Sequence, residues 1–91
     1  MSKHFEESLN TAVFTTKFIL ENKSPILFVY HYEEDGAWQF SGLENPISDD
    51  DYRVISLDEV IQLDNTVLEL ADLPLGGEAY RLDIKSPWII K

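Results

Sequence analysis

Ninety-one residues carry seventeen Asp and Glu against seven Lys and Arg, a net charge of -10, with 44% hydrophobic residues and no cysteine. That size and apolar content exclude a disordered chain and fit one domain over 1–91, whose folding buries about 60–65% of the surface the unfolded chain exposes. The absence of cysteine excludes disulfides, thiolate metal sites and Cys nucleophiles. The charge opposes nucleic-acid phosphates and anionic membranes while admitting a partner with a basic surface.

In chain order, residues 2–10 are polar apart from Phe5 and Leu9, and 1–10 read as a loose arm or one helical turn. They lack the apolar core of a signal peptide, so a cytoplasmic location is expected. Residues 12–20 alternate, with Ala12, Phe14, Thr16, Phe18 and Leu20 on one face, which predicts a strand. Residues 21–25 form a turn by composition. A second strand, 26–33, is apolar on both faces in its first half and therefore central. No apolar run approaches the roughly 20 residues of a membrane helix.

Glu34-Asp35-Gly36 followed by Ala37-Trp38-Gln39-Phe40-Ser41 is the clearest local signal, a β-hairpin. A two-residue loop would pair Trp38 with Glu33. A three-residue loop, with Gly36 at its left-handed third position, would pair Trp38 with Tyr32 and Phe40 with Tyr30. The second register gathers Phe28, Tyr30, Tyr32, Trp38 and Phe40 on one face, and cross-strand aromatic pairs favour it. It leaves His31, Gln39 and Glu33 on the other.

Residues 42–52 read as a loop containing Pro46 and Asp49-Asp50-Asp51, and Arg53-Val54-Ile55 as a short extended piece. Ser56-Leu57-Asp58-Glu59 is a capping box that opens a helix burying Val60 and Ile61. Asp64 interrupts the apolar stripe and reads as a fresh N-cap, so a break is predicted there, followed by a second short helix with Val67, Leu68 and Leu70. Pro74 and Gly76-Gly77 end it. Residues 78–84 alternate, with Tyr80, Leu82 and Ile84 opposite Arg81 and Asp83. Trp88-Ile89-Ile90 predicts an edge strand. The fold class is α+β: a mostly antiparallel β-sheet with a broken helical segment, 56–73, packed on one face.

No catalytic set, metal site or cofactor motif emerges. His4 and His31 lack metal-ligand spacing. His31 with Glu33 on the same strand face could orient an imidazole for general-base chemistry, but a half-exposed strand histidine is the preferred reading. Asp49, Asp50 and Asp51 lack the spaced ligands and glycine of a calcium loop and read as solvated. The residues best suited to a basic partner are Glu33, Glu34, Asp35, Asp49, Asp50 and Asp51 for attraction, with Trp88 as an aromatic anchor.

The stretch Val29-Tyr30-His31-Tyr32-Glu33-Glu34-Asp35-Gly36-Ala37-Trp38-Gln39-Phe40 resembles the central hairpin of a group of small bacterial proteins of unknown function. So do Val54-Ile55-Ser56-Leu57-Asp58-Glu59-Val60-Ile61, Ala71-Asp72-Leu73-Pro74-Leu75-Gly76 and Ala79-Tyr80-Arg81 with Trp88 beyond. Related members are immunity proteins of bacterial polymorphic-toxin systems. The resemblance covers about 12–88 and rests on hairpin, cap and turn residues. It implies no catalytic residue, and together with the acidic charge and the missing catalytic set it leads to the expectation of a non-enzymatic binding protein, an immunity protein that neutralises a basic toxin or another basic partner. The alternatives are a small ligand-binding or enzymatic domain using His31 with Glu33 or Arg81, and a homodimer through the Trp88-Ile89-Ile90 edge.

Overall fold

The computed structural model describes residues 5–43 and 48–91. The first four residues of the expected arm, His4 included, and the Pro46 part of the expected loop lie outside the described residues. Chain order is β1 (Ala12–Thr16), α1 (Lys17–Asn22), β2 (Phe28–His31), β3 (Trp38–Ser41), a 3-10 turn (Asp49–Asp51), β4 (Tyr52–Ser56), α2 (Leu57–Leu63), a 3-10 helix (Asn65–Leu70), β5 (Glu78–Tyr80) and β6 (Ile89–Ile90). The strands form one sheet in the order β4-β1-β3-β2-β5-β6. Only β1 and β3 run parallel. This is the expected α+β architecture, with β2 inside the sheet and β6 at its edge.

The helical segment follows its caps. Ser56 Oγ accepts from the Glu59 amide at 3.2 Å, and Glu59 Oε1 accepts from the Ser56 amide at 3.5 Å. Asp64 then ends α2 and opens the 3-10 helix, its carboxylate accepting from the Thr66 amide at 3.0 Å. Each such cap contributes about 1 kcal/mol. The break turns two short apolar stripes toward the sheet, and Leu57, Val60, Val67, Leu70 and Leu73 pack on Val13, Val29, Trp38 and Phe40. Phe5 joins them, its ring edge-on to Trp38 at 5.0 Å, so the arm is pinned from Phe5 onward.

Three expectations are corrected. The first strand ends at Thr16 rather than running to residue 20. The Thr16 side chain accepts from the Ile19 amide at 3.4 Å and caps α1, which closes on Lys23 in the left-handed region at φ 57°. A local hydrogen bond overrides the alternating pattern there.

The hairpin takes neither expected register. His31 faces Trp38 and Val29 faces Phe40. The loop has four residues, 33–36, closed by Tyr32 N donating to Ala37 O at 2.8 Å and Gly36 N donating to Tyr32 O at 3.0 Å. The Asp35 carboxylate accepts from the Ala37 amide at 3.0 Å, and Gly36 supplies φ 73°. One residue of slip moves every side chain of one strand to the opposite face. Trp38 and Phe40 therefore lie beneath the helices, and Tyr30 and Tyr32 lie on the other side.

The alternation over 78–84 is inverted. β5 stops at Tyr80, Arg81 is 3% exposed, and Leu82 and Ile84 point to solvent. Arg81 is buried because every part of its guanidinium finds a partner. Nε and Nη2 donate to the Ile26 carbonyl at 3.0 and 2.8 Å, Nη1 donates to Thr66 Oγ1 at 2.9 Å, and Nη2 pairs with the Asp64 carboxylate. Its carbon centre stands 4.2 Å from the Trp88 ring centroid, a cation–π contact. Burial pushes the Asp64 carboxyl up, but hydrogen bonds from Thr66 and Arg81 outweigh it and hold the group below its ordinary value of 3.8.

Removing Asp64 strands a buried cation, so Asp64→Ala is expected to cost about 3–5 kcal/mol in guanidinium chloride unfolding. A folded-state pKa below the unfolded one stabilises fully at neutral pH, and the contribution is lost as pH falls through the folded value. Acidification below about pH 4 should therefore lower the wild-type midpoint more than that of Asp64→Ala. At Gly77 a Cβ would stand 2.8 Å from the Pro74 carbonyl and 2.9 Å from Leu73 side-chain atoms. Gly77→Ala is expected to cost about 1–3 kcal/mol by the same measurement.

Candidate functional site

Directly opposed residues in a sheet share a side. The pairs Phe14↔Gln39, Phe14↔Val54, Tyr30↔Gln39, Tyr30↔Glu78 and Phe28↔Tyr80 therefore place these side chains together, away from the helices. Tyr32 joins them, its hydroxyl donating to Gln39 Oε1 at 2.9 Å. Tyr52 lines the same depression as Phe14 and Tyr32. All four tyrosines of the chain thus lie on one side, while Phe5, Trp38 and Phe40 are buried on the other. The face is open: Phe14 is 39%, Tyr32 37% and Val54 61% exposed.

The rings are ordered relative to one another. Tyr30 and Tyr32 stack with centroids 6.0 Å apart. Burial raises both phenol pKa values, with smaller contributions from Glu78 and Tyr52 at Tyr30, and from Tyr52, Tyr30 and Glu34 at Tyr32. Both phenols therefore stay protonated at neutral pH. Beside Tyr32 lies a shallow depression of about 370 Å³, lined by Phe14, Tyr32, Tyr52, Ala37 and Gln39 together with Glu34 and Asp35. At the far end of the face, Lys91 Nζ sits 5.5 Å from the Tyr80 ring centroid and 3.7 Å from Glu78 Oε2.

The acidic residues chosen from sequence fall into two separated groups. Glu33, Glu34 and Asp35 are exposed in the hairpin loop leading into β3. Asp49 and Asp50 are exposed in the turn leading into Tyr52, which faces Thr16 at the other end of β1. Because β1 and β3 are parallel, the two groups flank opposite ends of the sheet. Asp51 is committed within the fold: it accepts from the Ser48 amide at 3.0 Å and pairs with Lys17 at 3.2 Å, and these contacts lower its carboxyl pKa. Trp88 is half-buried over Arg81, and its Nε1 has no hydrogen-bond partner among the described residues.

His31 lies on the covered side, contrary to the expected placement. Its ring stacks on Trp38 at 3.9 Å. A carbonyl only accepts, so Nδ1 donates to Leu73 O at 2.8 Å. Nε2 faces Glu7 Oε2 at 3.8 Å, and that oxygen also accepts from Trp38 Nε1 at 2.8 Å. The partner carboxylate is Glu7 rather than Glu33, and Arg81 is occupied elsewhere. These contacts tie the N-terminal segment to the sheet. Among the described residues no group of three metal-ligating side chains is assembled. A larger groove of about 690 Å³ runs between α1, the end of α2 and the 83–84 turn. It mixes Lys23 with Asp64 and Asp83, and Asp64 is already held by Arg81.

Comparison with protein-family models, curated proteins and solved structures finds no match. Phe14, Tyr30, Tyr32 and Tyr52 were assigned to no site by sequence reasoning. A signal was present: a tyrosine hydroxyl needs a polar partner or water, which favours a wet face, whereas Trp38 and Phe40 suit a dry one. The assignment of sides is testable by unfolding. Trp38→Ala is expected to cost about 3–5 kcal/mol, and Tyr32→Ser less than about 1 kcal/mol, in chemical denaturation monitored by far-UV circular dichroism.

Proposed function

We propose that this chain is a non-enzymatic binding protein whose uncovered aromatic face docks a protein with a basic surface. The observation that carries the reading is the open side of the sheet, where Phe14, Tyr30, Tyr32 and Tyr52 lie beside the carboxylates of the hairpin loop. Aromatic residues of this kind supply contact area with little rotamer entropy to lose, and they dominate binding hot spots. The net charge of -10 adds an attractive field for a cationic partner. Exposed Asp49 and Asp50 extend that field to the other end of the sheet. The non-enzymatic part is supported by His31, whose two ring nitrogens and one ring face already meet Leu73, Glu7 and Trp38.

The resemblance of the hairpin, cap and turn residues to relatives of toxin immunity proteins makes a toxin the favoured class of basic partner. Occlusion of a basic toxin surface needs only complementarity, and no chemistry from this chain. In the native genome a toxin gene immediately upstream is the arrangement this reading expects.

The test uses the intact chain as bait in host lysate at about 0.05 and 0.5 M salt, a range over which screening tightens severalfold. Proteins retained at low salt are identified by mass spectrometry, and their affinities are measured after purification. The expected result is a basic partner whose affinity falls with salt and falls at least tenfold for the double variant Phe14→Ser, Tyr32→Ser. Partners that are all acidic, or affinity indifferent to both salt and the double variant, overturn the reading. Light scattering covers a second copy: a dimer that the double variant dissolves would assign the face to self-association instead.

A further inference from the structure

The open face seats one cation already, and its two ends are built alike. At the β5–β6 end Lys91 lies over the Tyr80 ring with Glu78 beside it. At the β1–β3 end the depression of about 370 Å³ offers three rings, Phe14, Tyr32 and Tyr52, and two carboxylates, Glu34 and Asp35. No basic residue of the described chain lines it. Its volume lies at the lower end of the roughly 300–1,000 Å³ of ligand pockets.

We propose that this depression receives an arginine side chain of the partner, its guanidinium lying on the aromatic wall and its N–H groups meeting Glu34 or Asp35. The inference rests on the proposed function and names the residue that anchors it. Three features favour a guanidinium. It is planar and weakly hydrated, so it stacks on ring faces at a smaller desolvation cost than an ammonium. Its N–H fork pairs with a carboxylate through two parallel bonds. The polar groups of the pocket are also held in place. Tyr32 Oη is fixed on Gln39 Oε1, and Asp35 Oδ1 accepts from the Ala37 amide. A pre-set site of this kind loses little side-chain freedom on binding.

The experiment is a titration of the isotope-labelled full chain, followed by amide chemical shifts. The probes are a hexa-arginine peptide, a hexa-lysine peptide and a hexa-citrulline peptide, which keeps the shape of arginine without its charge. At low salt hexa-arginine is expected to shift the amides of Glu34, Asp35, Ala37, Gln39 and Tyr52 first. It should bind at least fivefold tighter than hexa-lysine, and citrulline should leave the spectrum unchanged. Tyr32→Ala and, separately, Asp35→Asn should each weaken hexa-arginine at least fivefold. Asp35→Asn keeps an acceptor for the Ala37 amide, and unchanged shifts elsewhere in either variant show that the fold is intact. Shifts confined to Asp49, Asp50 and their neighbours would overturn the pocket while leaving a basic partner in place. Lysine binding as tightly as arginine would overturn the guanidinium assignment. No shift with either cationic peptide would overturn the pocket and the basic-partner reading together.

Discussion

Arg81 brings a full positive charge into the join between the sheet and its helical cover, and the arrangement of the whole chain follows from satisfying it. Taking a guanidinium out of water costs several kcal/mol even after relaxation. Here that cost is offset by groups from distant parts of the chain: the Ile26 carbonyl at the entry to β2, the Thr66 hydroxyl and Asp64 carboxylate at the helical break, and the Trp88 ring before β6. Each contact fixes one segment relative to β5. With Asp64 held at the guanidinium, α2 ends and the 3-10 helix begins, and its Val67 and Leu70 join the core that includes Val29 and Phe40. The described chain has no second helical layer for the other side, which is why the tyrosines remain wet.

The parts of this fold legible in the sequence are those decided within three or four residues. The Ser56 and Glu59 box, the cap at Asp64 and the left-handed Gly36 each close a hydrogen bond inside their own turn. The Arg81 site was illegible for the opposite reason. Asp64 stands 17 positions before Arg81 and Ile26 stands 55 before it. A window over 78–84 contains none of the partners that make burial of the arginine favourable. It sees an alternation of Tyr80, Leu82 and Ile84 and assigns the apolar members to the interior. The outcome is reversed because turning Arg81 out to water would leave the Ile26 carbonyl and the Asp64 carboxylate without the donor that satisfies them, a larger loss than leaving Leu82 hydrated.

The hairpin shows how one residue of register decides which rings are dry. Pairing rings with rings across strands would place five aromatics together, and the interaction involved is worth only about 0.2–1 kcal/mol per pair. Burying Trp38 and Phe40 under the helices is worth more, since a large ring removes about 150–250 Å² from water. Trp38 and Phe40 share a face in either register; the four-residue loop sets Val29 and His31 beside them and turns Tyr30 and Tyr32 to the open side, and the Asp35 carboxylate caps the Ala37 amide of that loop. Tyrosine and tryptophan are not equivalent in this respect. Tyr30 and Tyr32 can leave the interior because their hydroxyls meet water or Gln39, whereas Trp38 finds its single acceptor in Glu7 on the dry side.

The same sorting separates two tasks that a binding surface must perform. Charge acts at a distance: at physiological salt a field extends about 8 Å, enough to orient an approaching basic protein and raise the rate of encounter. The carboxylates that remain free for this, at the hairpin loop and at Asp49 and Asp50, project from opposite ends of the sheet. Rings act only at contact, and they govern how long a complex lasts once formed. Phe14, Tyr32 and Tyr52 line one depression together with Glu34 and Asp35. In the proposed reading, such a surface would attract many basic proteins and retain only those that place an apolar or guanidinium-bearing side chain against the rings. In that reading discrimination would come from the aromatic pocket, which exists because the one-residue register turns Tyr32 away from Trp38 and onto the open side beside Gln39.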